Sequence, residues 1–449
     1  MAIGQFRADV RQSFALAFPV MISQLGHVMM GVVDNLMIGR LGAQSLAAVG
    51  LANVVINILL LFGIGVSYAI TPLVAEADAA RNHRNIIETL RHGLVINAGN
   101  ALLLILLVLM AGNALHYLGQ PPGVVKLSIP YLNIVAFSLL PALIFQSFRQ
   151  FSEGLSDTRT PMVILLAANV LNIVFNYIFI YGHLGFPALG LNGAGWATLL
   201  SRTLMALAFA VIMYYARAFK PYRAIFAVGR YTRKMFNRML HLGIPAGVQF
   251  IFEVAAFDFS LVMMGWLGTT ALAAHQIAIN LATISYMTTS GLAAAATIRV
   301  SHEYGKRSLD GAKSAGHVLM SMALVIMFVW AIIFVSGRHI LPTLYIQDDA
   351  VLGIASSILI IAGLFQLSDG LQVVCIGALR GLQDVKVPSL LIFVSYWIIG
   401  LPLGYWLAFR LGWGANGIWC GLLIGLTITA IVIYMRFKYV VRQKLGQSA

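Results

Sequence analysis

Long apolar runs separated by short polar segments set the pattern of this chain. Each of the longer runs reaches the roughly 20 residues that a helix needs to cross the hydrocarbon core of a bilayer. Backbone N–H and C=O groups find no water in lipid, so we predict that these runs are helices, in which those groups bond one another. We predict twelve spans, at 14–39, 46–74, 93–116, 128–150, 162–182, 193–214, 243–266, 270–298, 315–336, 351–378, 389–409 and 415–436.

The composition agrees with a chain that is mostly surrounded by lipid. Hydrophobic residues make up 60% of the 449 residues and charged residues only 10%, whereas a soluble domain carries about 25% charged residues. So few charges cannot build a water-facing surface for a chain of this length. We therefore exclude a soluble enzyme, a disordered scaffold and a nucleic-acid reader, and we predict an all-α, multi-pass integral membrane protein.

The positions of Lys and Arg predict the orientation of the spans. With the N-terminus placed inside, the inner segments hold 24 of the 29 Lys and Arg residues and the outer segments hold 4. Cytoplasmic loops are enriched in Lys and Arg, so both termini are expected to be cytoplasmic. The same bias explains the net charge of +14 without a nucleic-acid partner.

Two halves of the chain repeat each other. Pro19 recurs as Pro245, and the segment 41–52 recurs at 267–278, both at an offset of 226 residues. The segment 154–161 (Gly-Leu-x-Asp-x-Arg-x-Pro) recurs at 381–388 at an offset of 227, and Leu-Gly at 189–190 recurs at 411–412. Each copy holds six spans, an even number, so both enter the membrane in the same sense. We expect two six-helix bundles related by a pseudo-two-fold axis along the membrane normal.

This repeat predicts the domain organisation and a transport function. We expect an N-terminal lobe at 1–220, a basic cytoplasmic linker at 221–242 and a C-terminal lobe at 243–449. Two bundles with one joint suit rocking around a central site, although a duplication kept for stability alone would give the same pattern. No phosphate-binding loop and no zinc-peptidase spacing is present in the sequence, so we expect no enzyme, and transport driven by an ion gradient or by the substrate's own gradient.

Acidic residues inside spans are costly and therefore point to function. Four acids lie there: Asp34, Glu253, Asp258 and Asp369. At 1.5 Å per residue, Glu253 lies roughly 15 Å and Asp369 roughly 13 Å from the inner ends of their spans, so the two can share one layer. Such a pair could take up a proton or gather oxygen ligands around Na⁺. The alternative is that each carboxylate only bonds a neighbouring helix.

A second polar layer is predicted in the first half of the chain. Asn172 and Asn176 are four residues apart and share one helix face. Asp34 and Thr198 lie at similar depths in the outer half of their spans, so the four side chains could form one hydrogen-bonded cluster, with Asp34 as its ionisable member. Polar contacts that only hold helices together are the alternative.

The repeat separates shared packing from specific function. The position equivalent to Asp34 holds Ser260, and the position equivalent to Glu253 holds His27. Residues that the common fold requires should occur in both copies, so the acids are interpreted as functional in one half each.

These repeats and acids resemble the multidrug and toxic compound extrusion (MATE) family, in its NorM-like branch. The resemblance covers essentially the whole chain. Its most specific pieces are Pro19 with Gln24, Val33-Asp34, the 154–161 turn, Gln249-x-x-x-Glu253, and Asp369-Gly370-x-Gln372 leading to Arg380-Gly381.

The resemblance implies a secondary antiporter that exports lipophilic cationic drugs and dyes in exchange for Na⁺ or H⁺. Glu253 and Asp369 match second-lobe carboxylates that couple the cation and could hold Na⁺. Asp34, with Asn172, Asn176 and Thr198, matches a first-lobe network associated with protonation or Na⁺. Candidate substrate contacts are Asp348, which resembles a drug-contacting acid in some members, together with Phe365 and Asp258.

One departure from the family leaves the coupling ion open. Some Na⁺-coupled relatives carry an aromatic hydroxyl four residues before the second carboxylate, where this chain has Phe365. We expect no cofactor other than a bound Na⁺, contact with membrane lipids, a monomer, and, from the resemblance, a bacterial inner membrane. The rival functions are a lipid-linked precursor flippase, a membrane-embedded enzyme and a channel. The flippase would need a cationic cavity, and Arg202 is the only Lys or Arg well inside a span.

Overall fold

Helices make up nearly all of the structure, a computed structural model that describes residues 3–117, 120–227 and 229–446. The α-helices of this part of the chain are α1 (Ile3–Gly39), α2 (Ala43–Ser67), α3 (Ile70–Ala79), α4 (His83–Ala114), α5 (Pro122–Phe137), α6 (Leu139–Gly154), α7 (Arg159–Tyr181), α8 (Leu191–Tyr215), α9 (Arg233–Leu267), α10 (Thr269–Gly305), α11 (Leu309–Ser336), α12 (Asp349–Gly381), α13 (Lys386–Phe393), α14 (Leu401–Tyr405) and α15 (Gly414–Gly446). Shorter 3₁₀ segments lie at Leu115–Tyr117, Arg217–Phe226 and Pro342–Leu344, and π-helical segments at Val394–Gly400 and Trp406–Arg410. The predicted all-α fold is confirmed.

Eleven helical segments within the described residues are long and apolar enough to cross a membrane. The sequence predicts twelve, and the difference is α10, which covers the predicted span 270–298. This helix has 37 residues, so its length is ample. His275, Gln276, Asn280 and several Thr and Ser residues lower its mean hydropathy below that of the other spans.

Two of the predicted spans are each interrupted by a turn between two helices, and a proline follows each break. The span that contains α2 and α3 is interrupted at Tyr68, four residues before Pro72. The span that contains α5 and α6 is interrupted at Ser138, three residues before Pro141. A proline inside a helix removes one hydrogen bond, and its ring clashes with the carbonyl group four residues earlier. The helix therefore restarts within one turn before each proline.

The chain folds as two compact units. The first unit is Ile22–Gly247, and the second takes in the chain up to Met21 and from Val248 onward. The two boundaries lie 226 residues apart, which is the offset of the sequence repeat, so both repeats divide at the same place. Each boundary falls inside a helix, α1 or α9, two residues after Pro19 or Pro245. The lobes at 1–220 and 243–449 and the linker at 221–242 stay a prediction.

The internal repeat is visible in matching contacts of the two units. Thr71 Oγ1 donates to the Gln150 carbonyl oxygen at 3.0 Å, and Thr297 Oγ1 donates to the Gly377 carbonyl oxygen at 2.9 Å. Three pairs of residues with positive φ also recur, at Arg81 and Arg307, Ser156 and Gln383, and Gly42 and Gly268. The two halves thus share their helix packing and their turns, as the sequence repeat predicts.

A glycine face on α15 allows close packing against the segment 394–410. A Cβ atom added at Gly421 would lie 2.3 Å from the Gly404 Cα atom, and one added at Gly417 would lie 2.5 Å from the Ala408 nitrogen. Small residues at helix interfaces in membranes let backbones approach each other. Here they hold the π-helical segments that carry part of the candidate site.

Candidate functional site

Three side chains of α7 hold the second part of α1 in the first unit. Asn169 Nδ2 donates to the Gly26 carbonyl oxygen at 2.7 Å, and Tyr181 Oη donates to the Met37 carbonyl oxygen at 2.8 Å. Asn176 lies between them on α7. This row of contacts fixes the depth at which Asp34 of α1 meets α7.

The first-unit cluster consists of Asp34, Asn176 and Asn172. Asn176 Nδ2 donates to Asp34 Oδ1 at 2.5 Å and to Asn172 Oδ1 at 3.1 Å, and both asparagines are fully buried. Asn172 Nδ2 and Asn176 Oδ1 have no hydrogen-bond partner among the described residues. Thr198 is also buried, but within the part of the chain that the structure describes no hydrogen bond joins it to the other three.

The first unit also carries a cation in the middle of α8. Arg202 is the twelfth of the 25 residues of this helix. Its Nη1 atom donates to Ser138 Oγ at 2.7 Å, at the break between α5 and α6. Arg202 also interacts electrostatically with Asp34 and with Tyr131 of α5. The first unit therefore contains a carboxylate and a guanidinium of opposite charge within one polar region.

The second-unit cluster is arranged around Glu253 of α9 and α12. Gln372 Nε2 donates to Glu253 Oε1 at 3.0 Å, and Tyr396 Oη donates to Gln372 Oε1 at 3.3 Å. Gln372 and Tyr396 are fully buried, and Glu253 and Asp369 are 9% and 6% exposed. Gln372 thus fixes the orientation of one carboxylate, and Tyr396 fixes Gln372.

Glu253 and Asp369 interact electrostatically as like charges. Asp369 lies one turn before Gln372 on α12, so both side chains face α9. Arg380, near the end of the same helix, attracts Glu253. Two carboxylates and one cation thus interact here, so when both carboxylates are ionised one negative charge is left over.

An unusual helix geometry supports this cluster. Tyr396 and Trp397 lie in the π-helical segment Val394–Gly400, and such segments often occur at functional sites. Trp397 Nε1 donates to the Phe252 carbonyl oxygen at 3.0 Å, next to Glu253. The equivalent contact in the first unit runs from Asn169 to Gly26. Equivalent residues of the two halves are 227 positions apart at the 154–161 turn and 228 positions apart at this contact, between Asn169 and Trp397. The second half therefore has one extra residue, which the π segment accommodates.

Aromatic rings cover the cluster on one side. The Phe257 ring lies 5.9 Å from the ring of Tyr396 and 6.0 Å from that of Phe365, and Phe365 lies 5.8 Å from Trp419. Trp419 Nε1 donates to His275 Nδ1 at 3.1 Å. These rings pack beside Tyr396 of the cluster, and aromatic rings attract organic cations.

Three predicted substrate contacts lie in different settings. Phe365 is buried among these rings, whereas Asp258 is exposed on α9. Asp348 caps the N-terminus of α12, because its Oδ1 atom accepts hydrogen bonds from the Ala350 and Val351 nitrogens at 2.9 and 3.2 Å. This capping role is a structural reason for an acid at position 348 that does not require contact with substrate. Contact of these three residues with substrate stays a prediction.

Carboxylate, amide and hydroxyl oxygens are ligands that hard cations take. Among the described residues no group of three or more His, Cys, Asp or Glu side chains is placed to hold a metal ion. Na⁺ would instead use the carboxylates of Glu253 and Asp369 with amide or hydroxyl oxygens nearby.

Sequence reasoning singled out the carboxylates but missed their support. Gln372 was part of the motif that carries the family resemblance, and its bond to Glu253 gives it a role. Tyr396 was missed. Its hydroxyl reaches the cluster through Gln372, so the cluster has an aromatic hydroxyl even though position 365 is Phe. Ser138 as the partner of Arg202 was also missed, and Pro141 three residues later was the available signal for a helix break.

Comparison with known proteins gives the family. The MatE family model matches residues 19–178 and 245–406, once in each repeat. The chain is 35% identical over 443 residues to a probable multidrug resistance protein NorM of Mesorhizobium japonicum, covering 96% of this chain and 94% of that protein. It is 33% identical over 440 residues to a multidrug resistance protein NorM of Photobacterium profundum, covering 97% and 96%.

Solved structures agree on the fold. A crystal structure of MATE in the bent conformation has a TM-score of 0.91 at 20% identity and covers 99% of this chain and 98% of that one. The eukaryotic MATE transporter AtDTX14 has a TM-score of 0.86 at 18% identity, covering 99% and 100%. The candidate membrane spans and the family match together define a multi-pass integral membrane transporter. The chain belongs to the MATE family.

Proposed function

We propose that this protein is a secondary active multidrug efflux antiporter that exports lipophilic cationic compounds in exchange for Na⁺ or H⁺. The observation that carries the proposal is the buried pair of carboxylates, Glu253 and Asp369, with Gln372 and Tyr396 holding one of them in place. Curated relatives with the same two-repeat chain are named multidrug resistance proteins.

Electrostatics explain why this pair would couple two cations. A carboxylate at membrane depth costs about 2.5–3.5 kcal/mol on insertion scales unless it is compensated. Two neighbouring carboxylates attract either a small cation from outside or an organic cation from the cytoplasm. Each occupant neutralises the charge that draws the other, so ion and cargo disfavour each other's binding, and linkage makes that effect reciprocal.

The aromatic side of the cluster indicates the chemical class of the cargo. The Phe257 ring lies 5.9 Å from that of Tyr396 and 6.0 Å from that of Phe365. Cations over aromatic faces gain about 0.5–2 kcal/mol, more when desolvated. A flat, lipophilic cation fits these rings better than a strongly hydrated metabolite. Asp258 and Asp348 are further candidate contacts on its route.

The remaining parts of the proposal concern the setting of the site. We propose that Asp34, Asn172, Asn176 and Thr198 form the polar network of the first lobe, and that the lobes at 1–220 and 243–449 move about the linker in alternating access. We further propose cytoplasmic termini, a bacterial inner membrane as the location, and a monomer. The Lys and Arg distribution and the family membership support these statements.

Dye efflux from energised cells tests the proposal. We expect Glu253→Gln and Asp369→Asn each to abolish ion-driven efflux at wild-type protein levels, because each removes one charge of the pair. Asp349→Asn is the matched control, since this exposed acid lies in the first turn of α12, away from the cluster. Unimpaired efflux in both carboxylate variants would refute the proposed role of the pair.

A further inference from the structure

Three basic side chains are aligned on the segment that follows α8 in the first unit. The segment Arg217–Phe226 is a 3₁₀ helix of 10 residues. Such a helix has three residues per turn, so side chains three positions apart share one face. One face carries Arg217, Lys220 and Arg223, of which the first two are exposed and the third is half-buried. We call these three residues the basic stripe.

A second face of the same helix fixes its position on the first unit. Its buried residues also recur at every third position: Phe219, Tyr222 and Ile225. The Phe219 ring lies 6.4 Å from that of Phe209 in α8. The Tyr222 ring lies 5.6 Å from that of Phe151 in α6 and 5.8 Å from that of His83 in α4. The segment therefore lies across the ends of three helices, with the basic stripe on a different face from the buried one.

The backbone of this segment is also tied to α4. Arg91 of α4 donates from Nε to the Ile225 carbonyl oxygen at 3.3 Å and from Nη2 to the Ala224 carbonyl oxygen. A 3₁₀ helix of this length is uncommon because its hydrogen bonds have poor geometry, so contacts of this kind are needed to maintain it. The fold thus fixes the spacing of the basic stripe.

The basic stripe lies where the surface of a bilayer is expected. α8 is a candidate membrane span that ends at Tyr215, two residues before Arg217. Tyr214 and Tyr215 are 48% and 71% exposed, and tyrosines are enriched at the headgroup level of membranes. The Arg223 guanidinium lies 5.5 Å from the centre of the Tyr214 ring, and its Nη2 atom donates to the Tyr215 carbonyl oxygen at 3.3 Å. The stripe and the two tyrosines therefore share one level at the end of the span.

The basic stripe has no carboxylate partner within the described residues. The sequence itself contains no Asp or Glu from position 158 to position 252. Asp78 of α3 interacts electrostatically with this segment, but with Tyr222 on its buried face. By contrast, Arg436 of α15 bonds Asp384 Oδ2 at 2.7 Å. The charge of the stripe is therefore left for an anionic partner from outside the chain.

We propose that the basic stripe binds the headgroups of anionic phospholipids, with Tyr214 and Tyr215 at the same level of the bilayer. Seven Lys and Arg residues follow α8 between positions 217 and 238, and a polybasic segment directly beyond a membrane span is typical of anionic lipid recognition. That the lipid comes from the cytoplasmic leaflet rests on the proposed cytoplasmic termini. Lipid binding itself requires neither that orientation nor antiport.

Binding of labelled lipids to the purified protein in detergent tests the inference. The probes are fluorescent phosphatidylglycerol, which is anionic, and fluorescent phosphatidylcholine, which is zwitterionic. One basic residue near an anionic lipid surface strengthens binding about fivefold. The triple variant Arg217→Gln, Lys220→Gln and Arg223→Gln should therefore bind phosphatidylglycerol roughly 100-fold more weakly than the wild-type protein. The charge-conserving variant Arg217→Lys, Lys220→Arg and Arg223→Lys should keep the wild-type affinity.

The matched control removes three exposed cations of the second unit and changes the net charge by the same amount. It carries Arg307→Gln, Lys313→Gln and Lys386→Gln, and it should bind phosphatidylglycerol as the wild-type protein does. Equal weakening in the two triple variants, or equal binding of the two lipids by the wild-type protein, would overturn the inference. Displacement of phosphatidylglycerol by equimolar inorganic phosphate would also overturn it, because the stripe would then be a site for a free anion.

Hydrogen exchange of the wild-type protein gives a second readout that needs no variant. Amide exchange in the segment 217–226 is compared between nanodiscs of phosphatidylcholine alone and nanodiscs of an equal mixture with phosphatidylglycerol. We expect slower exchange in the mixture, because bound headgroups restrain the segment, and unchanged exchange would contradict binding at this place. A wild-type protein without ion-coupled exchange would refute the proposed antiport function and leave both lipid measurements unaffected.

Discussion

Replacing Gln372 tests whether the Glu253 carboxylate must be held in one orientation. Gln372→Leu removes the donor that lies 3.0 Å from Glu253 Oε1 and the acceptor that lies 3.3 Å from Tyr396 Oη. All of these atoms are buried, so water cannot replace the lost partners. The volume of the side chain is nearly kept, which limits the change to its polar contacts.

The size of the effect follows from the charge of the acceptor. A hydrogen bond to a charged group contributes about 1.5–3 kcal/mol, and 1.4 kcal/mol corresponds to a factor of ten. We expect the ion concentration for half-maximal dye exchange to shift roughly 10- to 150-fold. The assay is dye exchange in proteoliposomes, with the driving ion varied on one side.

Gln366→Leu is the control. Gln366 is fully buried on the same helix, but its Oε1 atom accepts from neutral Ser285 at 2.7 Å. A neutral bond contributes about 1 kcal/mol, and its loss affects stability without touching Glu253. Equal ion dependence in Gln372→Leu and Gln366→Leu, both folded, would refute the orienting role of Gln372.

Two further predictions concern packing and the repeat. Gly421→Ala should lower the stability of the protein by about 1–3 kcal/mol, because the added Cβ atom would meet the Gly404 backbone. Gly353→Ala is the control and should be neutral or slightly stabilising, because no atom lies within 4 Å of its added Cβ atom. Equal melting temperatures of the two variants would contradict the close contact. Thr71→Val and Thr297→Val each remove an interhelical bond from a threonine hydroxyl, and Thr71 also loses its contact with Gln150 Oε1 at 2.5 Å. Each variant should therefore lower the melting temperature of the purified protein, and an unchanged melting temperature in both would contradict a stabilising role of these bonds.

The sequence predicted the spans because lipid imposes a simple rule of length and apolarity. That rule does not report where a helix continues beyond the bilayer, so α1 and α9 begin about ten residues before their predicted spans. Nor does it report breaks. Pro72 and Pro141 signal the interruptions at Tyr68 and Ser138, but a bilayer-length window averages over them.

The candidate site was predictable only as far as each residue carries its own signal. A carboxylate in an apolar span is conspicuous, so Glu253, Asp369 and Asp34 stand out from composition alone. Their neutral partners do not, because Gln372 and Tyr396 resemble many other span residues and their contacts join distant parts of the chain. The π segment that brings Tyr396 to the cluster depends on one extra residue relative to the first repeat, which only the matched contacts reveal.

Counter-movement of ion and dye in proteoliposomes tests the central claim most directly. A dye gradient imposed without any ion gradient should drive Na⁺ or H⁺ in the opposite direction in the wild-type protein. The same gradient should move no ion in a variant that carries both Glu253→Gln and Asp369→Asn. Ion movement that persists in that variant, or dye movement without any ion in the wild-type protein, would contradict the account.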